Sequence, residues 1–434
     1  MVEEILHYCR REEIPWSIES RQSISVKDGI TMSKILTGIS TAAAVAVAAL
    51  VFTPAGGSTD EPHGADISSG DERLNIVAYA VPKVGFDQII PAFRETEAGS
   101  GVGFAQSYGA SGDQSRKALR RVPTDIVTFS VEPDITRLVK AGLVDEDWKD
   151  NVPGDESGRS VPFGSVVSFV TREGNPKNLA TWDDLLDSDI EVISPNPASS
   201  GSAKWNLLAP YSAWFFRNVD QQQAHGEVSY TQAHEYASEK LSQLVSTTFK
   251  LRPKSGREAT STFEQGQGDV LLSYENEAIF LDRTSGGVEY LNPPETFRIE
   301  NPVAVLNTSQ SPQQAEDFRD YLFTDEAEKI WAQEGFRSGT DLFSKDGETP
   351  TIDALSPEEQ QAFKPYDVAY SVDDLAEAFA QIAQESPELA EQHGLSNNGK
   401  PLEGWEMVDA FLFKKAQPGS GESDGVITTI YKEV

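Results

Sequence analysis

Three short turns place serine and glycine where a helix begins: Ser107-Tyr-Gly-Ala-Ser111-Gly112-Asp113-Gln114, Asn196-Pro-Ala-Ser199-Ser200-Gly201-Ser202-Ala-Lys204-Trp205-Asn206, and Ser255-Gly256-Arg257-Glu258. The middle one is turn chemistry opening straight into the apolar, aromatic run Trp205 to Phe216, which predicts a packed helix. A helix start leaves backbone N–H groups without partners and carries the positive end of the helix dipole. Small residues there let an anion approach those donors closely. Taken alone, such a turn reads first as an ordinary capped helix. Two of the three have capping-box spacing, Ser111 with Gln114 and Ser255 with Glu258, which gives those serines a structural task. No acid or amide stands three residues beyond Ser199, Ser200 or Ser202, so the donors of the middle turn are the least spoken for. Lys204 and Arg257 add cations beside two of the turns, while Asp113 and Glu258 add acids expected to face outward.

The serines could instead be nucleophiles. Gly109-Ala-Ser111-Gly-Asp113 lacks the closing glycine of a nucleophile elbow, and no Ser-x-x-Lys surrounds Ser200. A base would have to come from His7, His63, His225, His234 or His393, which are scattered and share no metal-ligand spacing. A secreted serine hydrolase stays an alternative; non-enzymatic binding is the main reading. The single cysteine, Cys9, excludes an internal disulfide and a thiolate metal site, and neither cofactor nor metal is expected.

The elements that must position these turns alternate between strand and helix from Leu74 onward. Strands are read at Leu74 to Val81, Val102 to Ser107, Thr124 to Phe129, Val161 to Thr171, Ile190 to Ser194, Phe249 to Arg252, Asp269 to Tyr274 and Pro302 to Leu306. Helices are read at Phe86 to Phe93, Gln114 to Arg121, Ile135 to Ala141, Trp182 to Leu186, Tyr230 to Val245, from Arg257, and at Ala315 to Gln333. Such alternation predicts an α/β body with parallel sheets and ligands outside the carboxyl ends of the strands. Each of the three turns sits at a strand-to-helix junction of that kind.

The chain has 434 residues, 36 Lys and Arg against 69 Asp and Glu, and so a formal charge of -33. That balance excludes nucleic acid or an anionic membrane surface as the main partner and predicts a solubilising surface. Residues 1–31 read as an upstream extension, because a basic start at Met32-Ser-Lys34 and an apolar run from Ile39 to Phe52 form a signal-peptide pattern over 32–55. That run is short of the ~20 apolar residues a membrane span needs. The stretch 56–73 reads as a polar tether. The acidic, alanine-rich segment 373–403 reads as a helical insertion, either a solvated hairpin or a docking surface, within a C-terminal segment 341–434 that packs across the body.

The motifs Tyr108-Gly-Ala-Ser-Gly-Asp-Gln114, Gly142-Leu-Val-Asp-Glu-Asp-Trp148, Gly174-Asn-Pro-Lys177, Asn196 to Asn206, and Phe263-Glu-Gln-Gly-Gln-Gly-Asp-Val-Leu-Leu-Ser-Tyr-Glu-Asn-Glu-Ala278 occur in this order. Together they resemble the periplasmic sulfate-binding proteins of ABC transporters, from about Leu74 to Phe336 and again near Gly404. The resemblance implies a two-lobe periplasmic-binding-protein fold of type II, hinged, with mostly parallel sheets flanked by helices. It also implies capture of sulfate or thiosulfate between the lobes by a monomer, and delivery to the permease and ATPase of an ABC importer. By motif position, Ser111, Ser200, Gly201, Ser202 and the Gly256 N–H would hold the anion. Tyr274 stands where relatives can carry Trp, Ala80 or Val81 would supply a donor from the end of the first strand, and Arg257 and Lys204 would support from behind. The lobes are expected at 74–161 with 278–340, and at 162–277.

Two departures from the family pattern stand out. Ser202 occupies a position often held by Gly, which keeps the N–H and adds a hydroxyl. Pro54-Ala55-Gly56-Gly57 resembles the end of a lipoprotein signal without its cysteine, which favours a freely periplasmic or extracellular protein. Sulfate near neutral pH needs only donors, whereas phosphate brings a proton that wants an acceptor. A shell of N–H and O–H groups discriminates by what it lacks. Molybdate, another tetrahedral oxyanion, is the nearest alternative ligand.

Overall fold

In strand β1 (Glu72–Tyr79) the side chains of Leu74, Ile76, Val77, Ala78 and Tyr79 are all buried, on both faces of the sheet, which is why the run reads apolar almost without alternation. β1 pairs in parallel with β2 (Val102–Gly109) and β3 (Ile126–Thr128). Helix α1 (Lys83–Arg94) follows β1, helix α2 (Ser111–Leu119) follows β2, and helix α3 (Glu132–Lys140) follows β3. Phe86, Ile89, Ile90 and Phe93 give α1 one buried stripe, and Phe86 and Phe93 pack on Trp331 and Phe318 at centroid separations of 5.2 and 5.0 Å. The structure, a computed structural model, describes residues 72–344, 347–397, 399–419 and 421–433. The extension 1–31, the signal segment 32–55, the tether up to residue 71, and with them Cys9, His7 and His63, lie outside the described residues.

The chain crosses to a second, larger sheet at Ser160 to Phe163. There β4 (Phe163–Arg172), buried along almost its whole length, is central. The junctions around it are β5 (Val192–Ile193) into helix α4 (Gly201–His225), helix α5 (Tyr230–Thr247) into β6 (Phe249–Leu251), and helix α6 (Gly256–Glu264) into β7 (Val270–Tyr274) and helix α7 (Glu275–Thr284). β5 lies parallel to β6 and β7, and β7 runs antiparallel to β4. Two strands unforeseen in the sequence, β8 (Val288–Leu291) and β9 (Glu295–Asn301), also pair antiparallel with β4. They fall within 278–340, so the expected assignment of that whole range to the first lobe does not hold. The second lobe continues to Asn301, where the chain returns.

β10 (Val303–Val305) then forms an antiparallel edge on β3. The two crossings are bonded to each other, Val303 N–H to Ser160 C=O at 2.9 Å and Ser160 Oγ to Val303 C=O at 2.8 Å. The single helix expected over 315–333 is two, α8 (Pro312–Tyr321) and α9 (Asp325–Gln333), because the Thr324 side chain caps the second. β11 (Arg337–Ser338) joins β4, and β12 (Val368–Tyr370) lies parallel to β9.

The segment 373–403 is more than a solvated hairpin. The helix Val372–Glu385 buries Leu375, Phe379 and Ile382 and exposes Asp374 and Glu377. Phe379 lies against Tyr211 and Phe215 of α4 and against Phe411, with centroids 6.0, 6.2 and 4.7 Å away. Truncating such a side chain costs about 3–5 kcal/mol. Its acidity belongs to the outer face of an amphipathic helix that is part of the core.

Candidate functional site

The starts of α2, α4 and α6 lie at the carboxyl ends of β2, β5 and β6. A Cβ added to Gly201, the first residue of α4, would lie 2.6 Å from Cβ and Oγ of Ser130 and 3.3 Å from Cβ of Ser111. A Cβ on Gly256, the first residue of α6, would lie 2.9 Å from Ser202 Oγ and 3.6 Å from Val81. At Gly201 the backbone of the second lobe therefore approaches the Ser130 side chain of the first lobe to a distance that only glycine allows. Ser111, Val81, Ser200, Ser202 and Tyr274 are all buried. Ala80, half-buried, directly follows β1.

Ser130, just past β3, is the hub. Its Oγ is 2.6 Å from the Tyr274 phenol, and Ser202 and Asn301 act on that phenol as polar neighbours. Its N–H donates to Ser111 Oγ at 3.0 Å. Its C=O accepts from Trp205 Nε1 at 2.8 Å and from Asn301 Nδ2 at 3.1 Å, and Asn301 Oδ1 accepts from Tyr79 Oη at 2.8 Å. Burial pushes the Tyr274 hydroxyl up to about 12, so it stays protonated and can donate. Gly112 N–H donates to Ser199 C=O at 3.2 Å, a direct bond between the lobes.

The caps differ from expectation in an instructive way. Ser111 is the first residue of α2 rather than its cap, which is Ala110. The Ser111 hydroxyl donates to Asp134 Oδ2 at 2.6 Å, and Gln114 Oε1 accepts from Ser107 instead. With that proton committed, what Ser111 can offer a ligand is its backbone N–H. At α6, Ser255 Oγ accepts from Glu258 N–H at 3.2 Å as foreseen, but the Glu258 carboxylate reaches Lys254 N–H at 3.0 Å, so the box is shifted by one residue. At α4, Ser200 is the cap residue and no side chain accepts from the helix start. Gly201, Ser202 and Ala203 therefore present N–H groups that the helix cannot satisfy.

Asp113 and Glu258 are exposed, and Asp113 pairs with Arg116. Arg257 lies 2.9 Å from the buried carboxylate of Glu277, and Lys204 lies 2.5 Å from Asp409. Both cations are thus already neutralised by acids. The described histidines take no part: His234 bonds to Tyr211 Oη at 2.7 Å, and His225 Nδ1 lies 2.7 Å from Gln221 C=O. No group of His, Cys, Asp and Glu suited to a metal occurs among the described residues.

Sequence reasoning missed Ser130, Asn301, Tyr79 and Asp134. Ser130 follows a strand end, and the rule that ligands sit at carboxyl ends of strands could have found it. Asn301 carries no local signal.

Residues 74–337 match the family described as bacterial extracellular solute-binding protein. The sulfate-binding protein of Synechococcus elongatus is 35% identical over 303 residues, covering 68% of this chain and 81% of that protein. The thiosulfate-binding protein of Pseudomonas aeruginosa is 34% identical over 275 residues, covering 60% of this chain and 76% of that protein. Among solved structures, the sulfate-binding protein SubI from Mycobacterium tuberculosis H37Rv is 44% identical with a TM-score of 0.60, covering 73% of this chain and 99% of that chain.

Proposed function

The chain belongs to the bacterial extracellular solute-binding proteins, in their sulfate-binding branch, and on that premise we propose that it captures sulfate between its lobes. The observation that carries this reading is the convergence of three helix starts on a buried cluster of hydroxyls and amides. Gly201, Ser202 and Gly256 offer N–H groups, Ser111 a further N–H, and Tyr274 and Ser130 hydroxyls. Ser200 sits at the rim of the same turn, and Ala80 and Val81 close the side formed by the end of β1. Such a shell holds a dianion through dipoles alone. Asp134 is engaged by Ser111 and Arg137, and Glu277 accepts from Thr260 on one oxygen and ion-pairs with Arg257 on the other.

Capture closes the cleft about the two bonded crossings. Release to the permease and ATPase of an ABC importer, a periplasmic setting and a monomeric state go with this reading. So does acceptance of thiosulfate, which the Pseudomonas relative's name supports. Isothermal titration against sulfate, thiosulfate, molybdate and phosphate tests it. Sulfate is expected to bind, with phosphate weaker by about tenfold or more, since an unpaired buried donor costs about 1–3 kcal/mol. Equal affinity for sulfate and phosphate would sink the reading.

A further inference from the structure

Behind the Ser199 to Gly201 turn lies a cavity of about 750 Å³. The first lobe contributes Arg116 and Arg137 to its walls, and the second contributes Lys204 and Arg252. The C-terminal segment adds Lys414, Lys415 and Lys432, while Asp134 and Asp409 are the acids on the same walls. Three of the cations pair with acids at the rim, Arg116 with Asp113, Lys414 with Glu422 and Lys432 with Asp424. Counting those three acids with the two on the walls, seven cations meet five acids, in a chain where 36 cations meet 69 acids. The sign of the charge is locally inverted. Distant acids are screened over a Debye length of about 8 Å at physiological salt, so an anion inside the cavity feels its walls first.

The cavity adjoins the inner cluster. Gly112, Ser199, Ser200 and Gly201 line it, and the Gly112 to Ser199 bond between the lobes lies in that wall. Asp134 joins the two regions chemically, with Arg137 Nη1 on one oxygen at 2.8 Å and Ser111 Oγ on the other at 2.6 Å. Its size gives room for on the order of twenty waters at ~30 Å³ each, enough for an anion that keeps its hydration shell. Lysine ammonium groups on flexible stems suit such a ligand, being strongly hydrated themselves.

We infer that this cavity is an outer anion site, which gathers a hydrated, doubly charged oxyanion before the lobes admit it to the inner cluster. The inference rests on reading the inner cluster as the sulfate site. A cleft with an excess of one sign of charge raises association rates, by about 10- to 1000-fold where the lining is of a single sign, and steeply less so as salt is added.

Stopped-flow tryptophan fluorescence on the whole chain tests it, since Trp205 bonds across the lobes. In the variant Lys414→Glu/Lys415→Glu/Lys432→Glu, the sulfate association rate constant at low ionic strength is expected to fall about tenfold or more, with a flattened salt dependence. A change within about twofold overturns the proposal, by the same yardstick. Should that variant melt early, Arg116→Gln/Lys415→Gln removes charge from two solvent-facing side chains, with an expected fall of about threefold. Amide shifts during a sulfate titration separate the two sites. Salt-sensitive shifts at Lys415, Thr428 and Lys432 support the outer site whether or not Gly201 and Ser202 respond. Response at Gly201 and Ser202 with none at the other three overturns it. Silence at Gly201 and Ser202 counts against the inner reading alone.

Discussion

The inner cluster and the outer cavity share the Ser199 to Gly201 turn, yet they treat charge in opposite ways. Inside, hydroxyls and amides converge and the nearby cations, Arg257 and Lys204, are already paired with acids. Outside, seven cations, Lys204 among them, meet five acids and leave an excess of positive charge. Neutral donors at fixed positions distinguish one anion from another, because each must find its partner. Mobile cations attract any anion and act chiefly on the rate of encounter. On the proposed reading, the difference separates recognition from collection.

The strongest way to break that division is to place a charge at the shared turn. Ser200→Asp puts a favoured cap residue at the start of α4. Its carboxylate also stands where a dianion must come, and like charges brought together cost several kcal/mol. The melting temperature is expected to hold or rise while sulfate affinity falls by about a hundredfold or more. Calorimetric titration showing unchanged affinity would remove Ser200 from the site.

Acid should separate the two regions. His234 is held down to about 4 by burial and by the neighbouring His393, itself lowered by burial. Its surroundings are the Tyr211 hydroxyl, Ser238, His393 and the Phe411 ring, with Lys414 acting on His393. A histidine with its folded value depressed binds its proton more readily when unfolded. Stability is therefore full above about pH 6.5 and is lost as pH falls towards about 4, by about 3 kcal/mol. Because Phe411 belongs to the π-helical turn Asp409–Phe413, the loss loosens the wall of the outer cavity. Denaturant melts at pH 7.5 and 4.5 should show this loss in the wild type and less of it in His234→Gln.

The smallest effect sharpens the inner site alone. Ser202→Gly keeps the N–H and removes a buried hydroxyl beside Tyr274, a change on the scale of one hydrogen bond, about 0.5–1.5 kcal/mol. Sulfate affinity should shift by about two- to tenfold with its salt dependence unaltered. A larger change in the salt dependence than in the affinity would mean that the two regions are not separable at this residue.

Much of this was legible beforehand, and the exceptions have a common cause. β1, β4 and β7 are buried strands and read as apolar runs, and the α4 start was singled out because it lacks a capping partner. β8 and β9 escaped notice because β8 is only four residues long and charged residues interrupt the apolar pattern of β9. In the fold the charges of β9 are paired, Arg298 with Glu300 at 2.8 Å and Glu295 with Arg217 at 2.9 Å. Ser111 was misread as a cap because its partner, Asp134, lies 23 positions away. The outer cavity joins Arg116 to Lys432, and no local pattern announces such a meeting.

The bonds that span the lobes carry a consequence for how affinity can evolve. Gly112 to Ser199, Ser130 to Tyr274 and Trp205 to Ser130 join protein group to protein group, each worth about 1 kcal/mol net. They bias the equilibrium between open and closed conformers by the same factor whichever anion enters. That factor cancels when two ligands are compared. A substitution confined to these bonds can therefore reset the concentration at which the protein fills without touching its preference among oxyanions, and the two properties are free to drift independently.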